Sequence, residues 1–204
     1  MQLPDAPPLI LASQSRARAR LLEAAGLAFA VEAVPVDEAE VKAALAAEGV
    51  AVEDAAVALA EIKAQRVAAR HAGDVLVLGA DQMLEVDGRW LDKPEVLDAA
   101  RRQLQELRGK RHRLWSAAVL FRSGSRIWHH VEPAEMWMRP LSDGFIDAYL
   151  AEAGEAVLHS VGAYHLEGLG AQLFARVRGD HFTIQGLPLL PLLQALRDQG
   201  VLAA

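Results

Sequence analysis

Around Ser13-Gln14-Ser15 a short apolar run, Leu9 to Ala12, gives way to a stretch rich in alanine, leucine and arginine. A strand, a serine turn and a helix are expected there. Such a junction gathers unsatisfied backbone N–H groups, the Ser13 and Ser15 hydroxyls and the positive end of a helix dipole on one spot, which makes it an anion site by construction. Arg16, Arg18 and Arg20 follow. At about 100° per residue Arg16 and Arg20 share a helix face and Arg18 points the other way, so only one set can meet a ligand. The plainer reading of the same residues is a capped helix with a solvated basic face.

A second candidate is Asp81, just past the β-branched and leucine run Val75 to Leu78 and the Gly79-Ala80 that stops it. A carboxylate at the end of a buried strand sits where open α/β sheets place their ligands, and it suits a metal ligand or general base. An aspartate capping a turn is the alternative. Asp37-Glu38 at a strand end, Lys63 within a helix and Lys93-Pro94 after a hairpin are weaker signals singly. Lys63, Arg66 and Arg70 share one helical face, a pattern most often solvated. The glycines of Gly162 to Gly170 permit close backbone approach. Neither the dinucleotide fingerprint, the Walker A pattern nor H-E-x-x-H occurs. His129-His130 would point to opposite faces of a strand, which argues against a shared metal.

The elements that must position these residues are readable in outline. Helices are expected over Arg16 to Ala25 and Glu53 to His71, with Gly26 and Gly73 past their ends, over Glu95 to Leu107, from Ser142-Asp143 to Ala153, and from Pro188 to Gln199. Strands are expected at Leu9 to Ala12, Phe29 to Val36 and Val75 to Leu78. Asp87-Gly88 signals a two-residue hairpin joining Met83–Val86 to Trp90-Leu91. Arg113 to Arg122 and Arg126 to Met138 flank Ser123-Gly124-Ser125 as a long hairpin, with Trp115, Trp128 and Trp137 read as core. Alternating helices and strands together with hairpins imply a mixed α/β sheet. No repeat or long linker interrupts residues 1–204, read as one domain.

Composition narrows the function classes. The chain has 204 residues, 52% of them hydrophobic and 24% charged, as in ordinary globular proteins. A net charge of −6 argues against a protein that coats nucleic acid or an anionic membrane. There is no cysteine, which removes disulfides, thiolate metal sites and cysteine nucleophiles. The N-terminal Pro4, Asp5, Pro7 and Pro8 precede the apolar run and the arginines follow it, the reverse of a secretory signal. A soluble, cytoplasmic protein is the expectation.

Taken together, Leu11-Ala12-Ser13-Gln14-Ser15 with Arg18, Val36-Asp37-Glu38, Ala60-Glu61-Ile62-Lys63-Ala64, Gly79-Ala80-Asp81-Gln82, Lys93-Pro94, Gly162-Ala163-Tyr164, Glu167-Gly168-Leu169-Gly170 and Gly186-Leu187-Pro188-Leu189 appear in the order and spacing of one family. From residue 9 to about 200 the chain resembles the Maf family of nucleoside triphosphate pyrophosphatases. The resemblance implies an elongated mixed α/β fold like that of the inosine triphosphate pyrophosphatases, with two lobes around a deep cleft. It implies hydrolysis of a nucleoside triphosphate at the α–β bond with a divalent metal, Mg²⁺ or Mn²⁺. Asp81 matches the family's proposed proton acceptor, and Ser13, Arg18, Glu38, Lys63 and Lys93 match residues lining the triphosphate and metal site. Glu38 and Asp81 are then the natural oxygen ligands for the metal.

Two departures stand out. Arg16-Ala17-Arg18 replaces the usual Pro-Arg-Arg, which removes one phosphate-side arginine, and Asp92 stands where many members have glycine before Lys93-Pro94. At the base-reading positions, Gln82 and Glu167 match the branch acting on 7-methyl-GTP, which carries tryptophan where this chain has Ala17. The dTTP/UTP branch carries threonine and glutamine at the first two positions and arginine at the third. The resemblance therefore leans to guanine-type or methylated substrates. A dTTP/UTP-type enzyme, a non-catalytic nucleotide-binding regulator of division, and a phosphosugar or nucleotide transferase are the alternatives. No nucleic acid or membrane partner is expected, and a homodimer is left open.

Overall fold

The computed structural model describes residues 1–203. It is a mixed α/β structure with a seven-stranded sheet in the order β2-β1-β3-β5-β6-β7, β4 pairing off this path with β3. The chain falls into two compact units, each assembled from separated stretches. One comprises Met1–Asp81, Ser116–Glu132 and the chain from Gly186 onward; the other comprises Gln82–Trp115 and Pro133–Gln185. No linker in the sequence marks this interleaving, because each crossing from one unit to the other happens inside or beside an ordered element.

In the first unit, β1 (Leu9–Leu11) pairs in parallel with β2 (Ala30–Val31) and β3 (Leu76–Val86), Leu11 opposite Leu78. α1 (Arg16–Ala24) starts on Ser15, whose side chain accepts from the Arg18 N–H, and Gly26 follows its end at φ +75°. α3 (Val52–Ala68) carries Glu53 and Asp54 in its first turn and Arg66 in its last, complementing the helix dipole. With α7 (Leu189–Asp198), these elements bury Leu11, Leu22, Leu59, Leu78, Leu192 and Leu196.

In the second unit, β4 (Arg89–Leu91) returns antiparallel to β3 through Asp87 and Gly88, both at positive φ. This is the expected hairpin turn. α4 (Leu97–Leu107) and α5 (Asp143–Ala153) pack on each other. β7 (Phe174–Arg178) lies wholly in this unit, whereas β5 (Arg111–Arg122) and β6 (Ser125–Met138) belong to it only up to Trp115 and from Pro133. Leu84, Leu104, Leu107, Leu114, Met136 and Ile146 form its core.

Four expectations are corrected. The strand foreseen over Phe29 to Val36 is only Ala30–Val31, and Glu38 opens a helix, α2 (Glu38–Ala47), capped by Asp37 accepting from the Glu40 N–H at 3.0 Å. Residues 38–47 are rich in alanine and glutamate, which favours the helix once a cap is available. The strand expected to stop at Gly79 runs on to Val86, so Asp81 sits inside β3, three residues past the end of its parallel pairing with β1. Trp115, Trp128 and Trp137 are part-exposed, not core. Two 3₁₀ turns, Gly154–His159 and Leu169–Leu173, together with β7 and the short α6 (His181–Ile184), had no periodic signature to announce them. Among the described residues no helix is long and apolar enough to cross a membrane.

His112 in β5 gives the fold a pH dependence. It is 2% exposed, and burial pushes its imidazole down to about 4 from the ordinary 6.5. The unfolded chain therefore binds the extra proton first as pH falls. Between about pH 6.5 and pH 4 this single group is expected to remove up to about 3 kcal/mol of stability, with no contribution above about pH 7. Urea midpoints measured from pH 4 to 8 check this, and His112→Leu should flatten that part of the curve.

Candidate active site

The approach of α3 to β3 sets the geometry. A Cβ on Gly79 would run into the carbonyl oxygen of Ala60 and lie 2.8 Å from the Cβ of Ala64. Glycine on the strand facing two alanines one turn apart lets helix and strand come closer than ordinary side chains allow. Asp81 lies two residues beyond Gly79 and so on the same face of β3, while Lys63 projects from the same stretch of α3. Their side chains meet. Lys63 Nζ donates to Asp81 Oδ1 at 2.5 Å and pairs with Glu38 Oε1 at 2.7 Å.

The solvated stripe suggested by the spacing holds for Arg66 and Arg70, which are exposed, and fails for Lys63, whose side chain is 14% exposed. The same face of α3 takes hold of the segment after β2. Arg66 donates to the Pro35 carbonyl, Arg70 pairs with Glu32, and Lys63 reaches Glu38 at the start of α2. Glu38, with its side chain 42% exposed, is the open end of the carboxylate–ammonium–carboxylate row. Asp81 is the buried end, and its Oδ2 has no hydrogen-bond partner. A buried carboxylate oxygen left without a donor is costly, and such an atom marks a place where a cation, a proton or water is to be taken up.

The serine turn forms as expected, and Arg18 folds back into it. Ser13 is buried, and its Oγ accepts from the Ser15 N–H at 3.3 Å and from Arg18 Nη1 at 3.1 Å. Arg18 also donates from Nη1 to the Ala80 carbonyl at 2.9 Å and from Nε to the Gly186 carbonyl at 2.8 Å. The residue is 8% exposed. Its guanidinium thus bridges the turn after β1, the residue preceding Asp81 and the loop before α7. Burial draws this guanidinium below the ordinary arginine range, and the negative charges of Asp81 and Glu38 act the other way.

Arg16 and Arg20 are exposed on the opposite side of α1, as the helical spacing requires. Arg16→Ala and Arg20→Ala are therefore expected to change stability by less than about 0.5 kcal/mol and kcat/KM by less than about twofold. Parallel melting curves and steady-state kinetics decide it. An Arg16→Ala defect as large as that of Arg18→Ala would mean that Arg16 fills in for the arginine missing at Ala17.

The remaining expected residues belong to the second unit. Gln82 follows Asp81 on β3 and so faces the other side of the strand. Its amide donates to the Thr183 and Ile184 carbonyls at 3.2 and 3.0 Å, tying β3 to α6. Lys93 is exposed beside the buried Pro94. Glu167 lies between the two 3₁₀ turns with its carboxylate 3.8 Å from His165 Nδ1. Sequence reasoning missed the roles of Ala60, Ala64 and Gly186. The small residues four apart on α3 were a legible signal for close packing; the Gly186 carbonyl acting as an acceptor was not.

Whether these residues suit a divalent metal can be judged from the donors. Glu38 and Asp81 present hard carboxylate oxygens, one of them buried and unpartnered, around a position now neutralised by Lys63. Among the described residues no group of three or more His, Cys, Asp or Glu side chains forms a metal cage. Two carboxylates with the rest of the shell left to water and phosphate is the usual manner of binding Mg²⁺. The residues fit the ion.

Known proteins resemble this chain over nearly its whole length. A chain from Paramagnetospirillum magneticum named nucleoside triphosphate pyrophosphatase is 57% identical over 95% of this chain and 99% of its own length. One from Rhizobium meliloti named 7-methyl-GTP pyrophosphatase is 50% identical over 97% of this chain and 99% of its own. A solved structure of a nucleoside-triphosphatase / dITP/XTP pyrophosphatase from Mycobacterium abscessus is 17% identical, with a TM-score of 0.40 and 93% of each chain covered. The family described as Maf-like protein matches residues 8–199, so that the serine turn, Glu38, Lys63, Asp81 and the segment carrying Glu167 all fall within the matched region. By that match and those identities, the chain belongs to the Maf-like protein family.

Proposed function

We propose that this chain is a cytoplasmic hydrolase that cleaves nucleoside triphosphates at the α–β phosphoanhydride, releasing the monophosphate and pyrophosphate. The observation that carries the reading is the convergence of Glu38 and Asp81 on Lys63, with Asp81 Oδ2 buried and unpartnered. It is supported by relatives named nucleoside triphosphate pyrophosphatase at 57% and 51% identity.

A triphosphate carries roughly four negative charges near neutral pH, so its cleavage needs positioning and charge neutralisation more than covalent chemistry. Lys63 supplies a positive charge, and the Ser13–Ser15 turn with the start of α1 supplies backbone N–H groups and hydroxyls. Asp81 accepts the proton of the attacking water at its free oxygen. Lys93 would add a second positive charge toward the triphosphate. Glu38 and Asp81 would hold a divalent cation, Mg²⁺ or Mn²⁺, which when bound draws charge from the phosphate oxygens. With the purified chain, each nucleoside triphosphate and Mg²⁺, the products should be pyrophosphate and monophosphate in equal amounts. Release of orthophosphate in place of pyrophosphate, or no turnover, overturns the reading; a requirement for an acceptor substrate points to a transferase.

The substrate proposed is a guanine-type or N7-methylated purine triphosphate, in keeping with relatives named 7-methyl-GTP pyrophosphatase at 50% and 49% identity. Glu167 is acceptor-only when ionised, which suits the N1–H and amino donors of a guanine edge and the positive charge of N7-methylation. Uracil and thymine present one N–H between two carbonyls, which a carboxylate repels. We expect kcat/KM for 7-methyl-GTP and GTP to exceed that for dTTP and UTP by about tenfold or more, shrinking in Gln82→Thr/Glu167→Gln. A dTTP or UTP preference in the unmutated protein defeats the base assignment and leaves the pyrophosphatase reading standing.

A further inference from the structure

The core of the second unit is made of aliphatic, methionine and aromatic side chains, with one imidazole in its midst. His112 projects from β5 and shares a 2.7 Å hydrogen bond between its Nε2 and the hydroxyl of Tyr164. Its ring lies 5.7 Å from that of Tyr164 and 6.0 Å from that of Phe174, and Phe174 meets Tyr164 edge-on at 4.8 Å. Nδ1 has no partner at all. For packing alone an apolar side chain of the same volume would serve better, since a buried polar atom without a partner costs about 1–3 kcal/mol. A polar pair does what an apolar pair cannot, which is to fix one ring in one direction.

The ring so fixed belongs to a backbone that needs holding. Gly162 and Ala163 precede Tyr164 at φ +79° and +60°; Ala163 is fully buried, in a conformation that costs a residue with a Cβ of order 1 kcal/mol or more. Tyr149 of α5 donates its hydroxyl to the Ala163 carbonyl at 3.1 Å. A Cβ on Gly162 would lie 2.6 Å from the Tyr164 ring and 2.7 Å from Leu84. Beyond Tyr164 the chain stays tightly wound, with Gly168 N–H donating to the His165 carbonyl and Gly170 pressed on the His165 backbone. Glu167 sits within this winding, three residues after the ring that His112 holds. A strained segment persists only where its surroundings over-determine it, and here the determinants are two hydroxyls and one imidazole.

We propose that His112 is a positioning residue for base selection, anchoring through Tyr164 the Gly162–Gly170 segment that sets the direction of the Glu167 carboxylate. This rests on the reading of Glu167 as the base-contacting residue. His112 is buried and lies outside the Glu38–Lys63–Asp81 row, so its removal should act on recognition and spare the chemical step.

The test measures kcat, KM and the thermal midpoint for the unmutated protein, His112→Leu, His112→Gln, Tyr164→Phe and Tyr149→Phe, with 7-methyl-GTP, GTP, dTTP and UTP. In His112→Leu and Tyr164→Phe, KM for the preferred purine nucleotide should rise about tenfold with kcat within about twofold, and the purine-to-pyrimidine ratio of kcat/KM should fall by about the same factor. His112→Gln, whose amide nitrogen reaches the Nε2 position, should restore most of the ratio. Should His112→Leu not fold, the tyrosine variants, each losing one hydroxyl, carry the comparison. A lowered midpoint with an unchanged ratio, or an equal fall in kcat for every nucleotide, overturns the inference. An unmutated protein that hydrolyses purine and pyrimidine triphosphates equally overturns it too, while one that hydrolyses none overturns the proposed function.

Discussion

Asp81→Asn should lower turnover by a factor on the order of 100 or more while leaving the fold nearly as stable as before. The two side chains have the same shape, so the close fit of α3 on β3 at Gly79 is undisturbed. The Asn oxygen can still accept from Lys63, which keeps its ion pair with Glu38 at 2.7 Å. What is lost is specific to the chemistry. The amide nitrogen takes the place of the buried, unpartnered Oδ2, and it can neither accept a proton from water nor act as a hard ligand for a divalent cation. Because Lys63 remains paired, we expect a shift in Tm of no more than about 5 °C, corresponding to about 1–2 kcal/mol for a chain of this size. Pyrophosphate release and calorimetry on the same preparation settle it. Near-normal turnover would remove Asp81 from the mechanism, and a collapsed Tm with normal specific activity would make it a structural residue.

The second large effect is expected at Arg18, where stability and activity should fall together. Truncation to alanine strips donors from the carbonyls of Ala80 and Gly186 and from Ser13 Oγ, in a place where water has little access. With unsatisfied buried acceptors costing about 1–3 kcal/mol each, we expect a loss of about 3–5 kcal/mol and a drop in Tm of about 10 °C. Turnover should fall about 100-fold, because the turn carrying Ser13 and the residue before Asp81 are held by the same guanidinium. Arg18→Lys is the discriminating variant. It keeps the charge and loses the fork, so a charge-only role predicts near recovery and a bridging role predicts most of the defect. An alanine variant that melts with the unmutated protein would refute the bridging role.

The sequence by itself determined most of the secondary structure that follows periodicity. α1, α3, α4, α5 and α7, the Asp87-Gly88 turn and the long β5–β6 hairpin lie within a few residues of expectation, because caps, glycine stops and apolar spacing are local properties. That Arg16 and Arg20 share one face of α1 and Arg18 lies on the other followed from helical geometry alone; that Arg18 is the buried one came with the fold. The residue types of the candidate site were legible too, through motif order and chemistry.

Tertiary structure decided what those residues touch. Lys63, Arg66 and Arg70 read as a solvated stripe because nothing local says that residues 32–38 lie against that face of α3. Asp81 read as the end of a strand because glycine usually interrupts one; here Gly79 is in β3 so that Ala60 and Ala64 can press on it. Arg18 matched a triphosphate-lining position by resemblance, and the carbonyls it donates to, 62 and 168 residues away along the chain, are brought to it only by the fold. Local pattern specifies which elements form because their backbone hydrogen bonds close within a few residues. Burial and charge pairing are set by whichever distant segment arrives, and that depends on close packing of the whole chain.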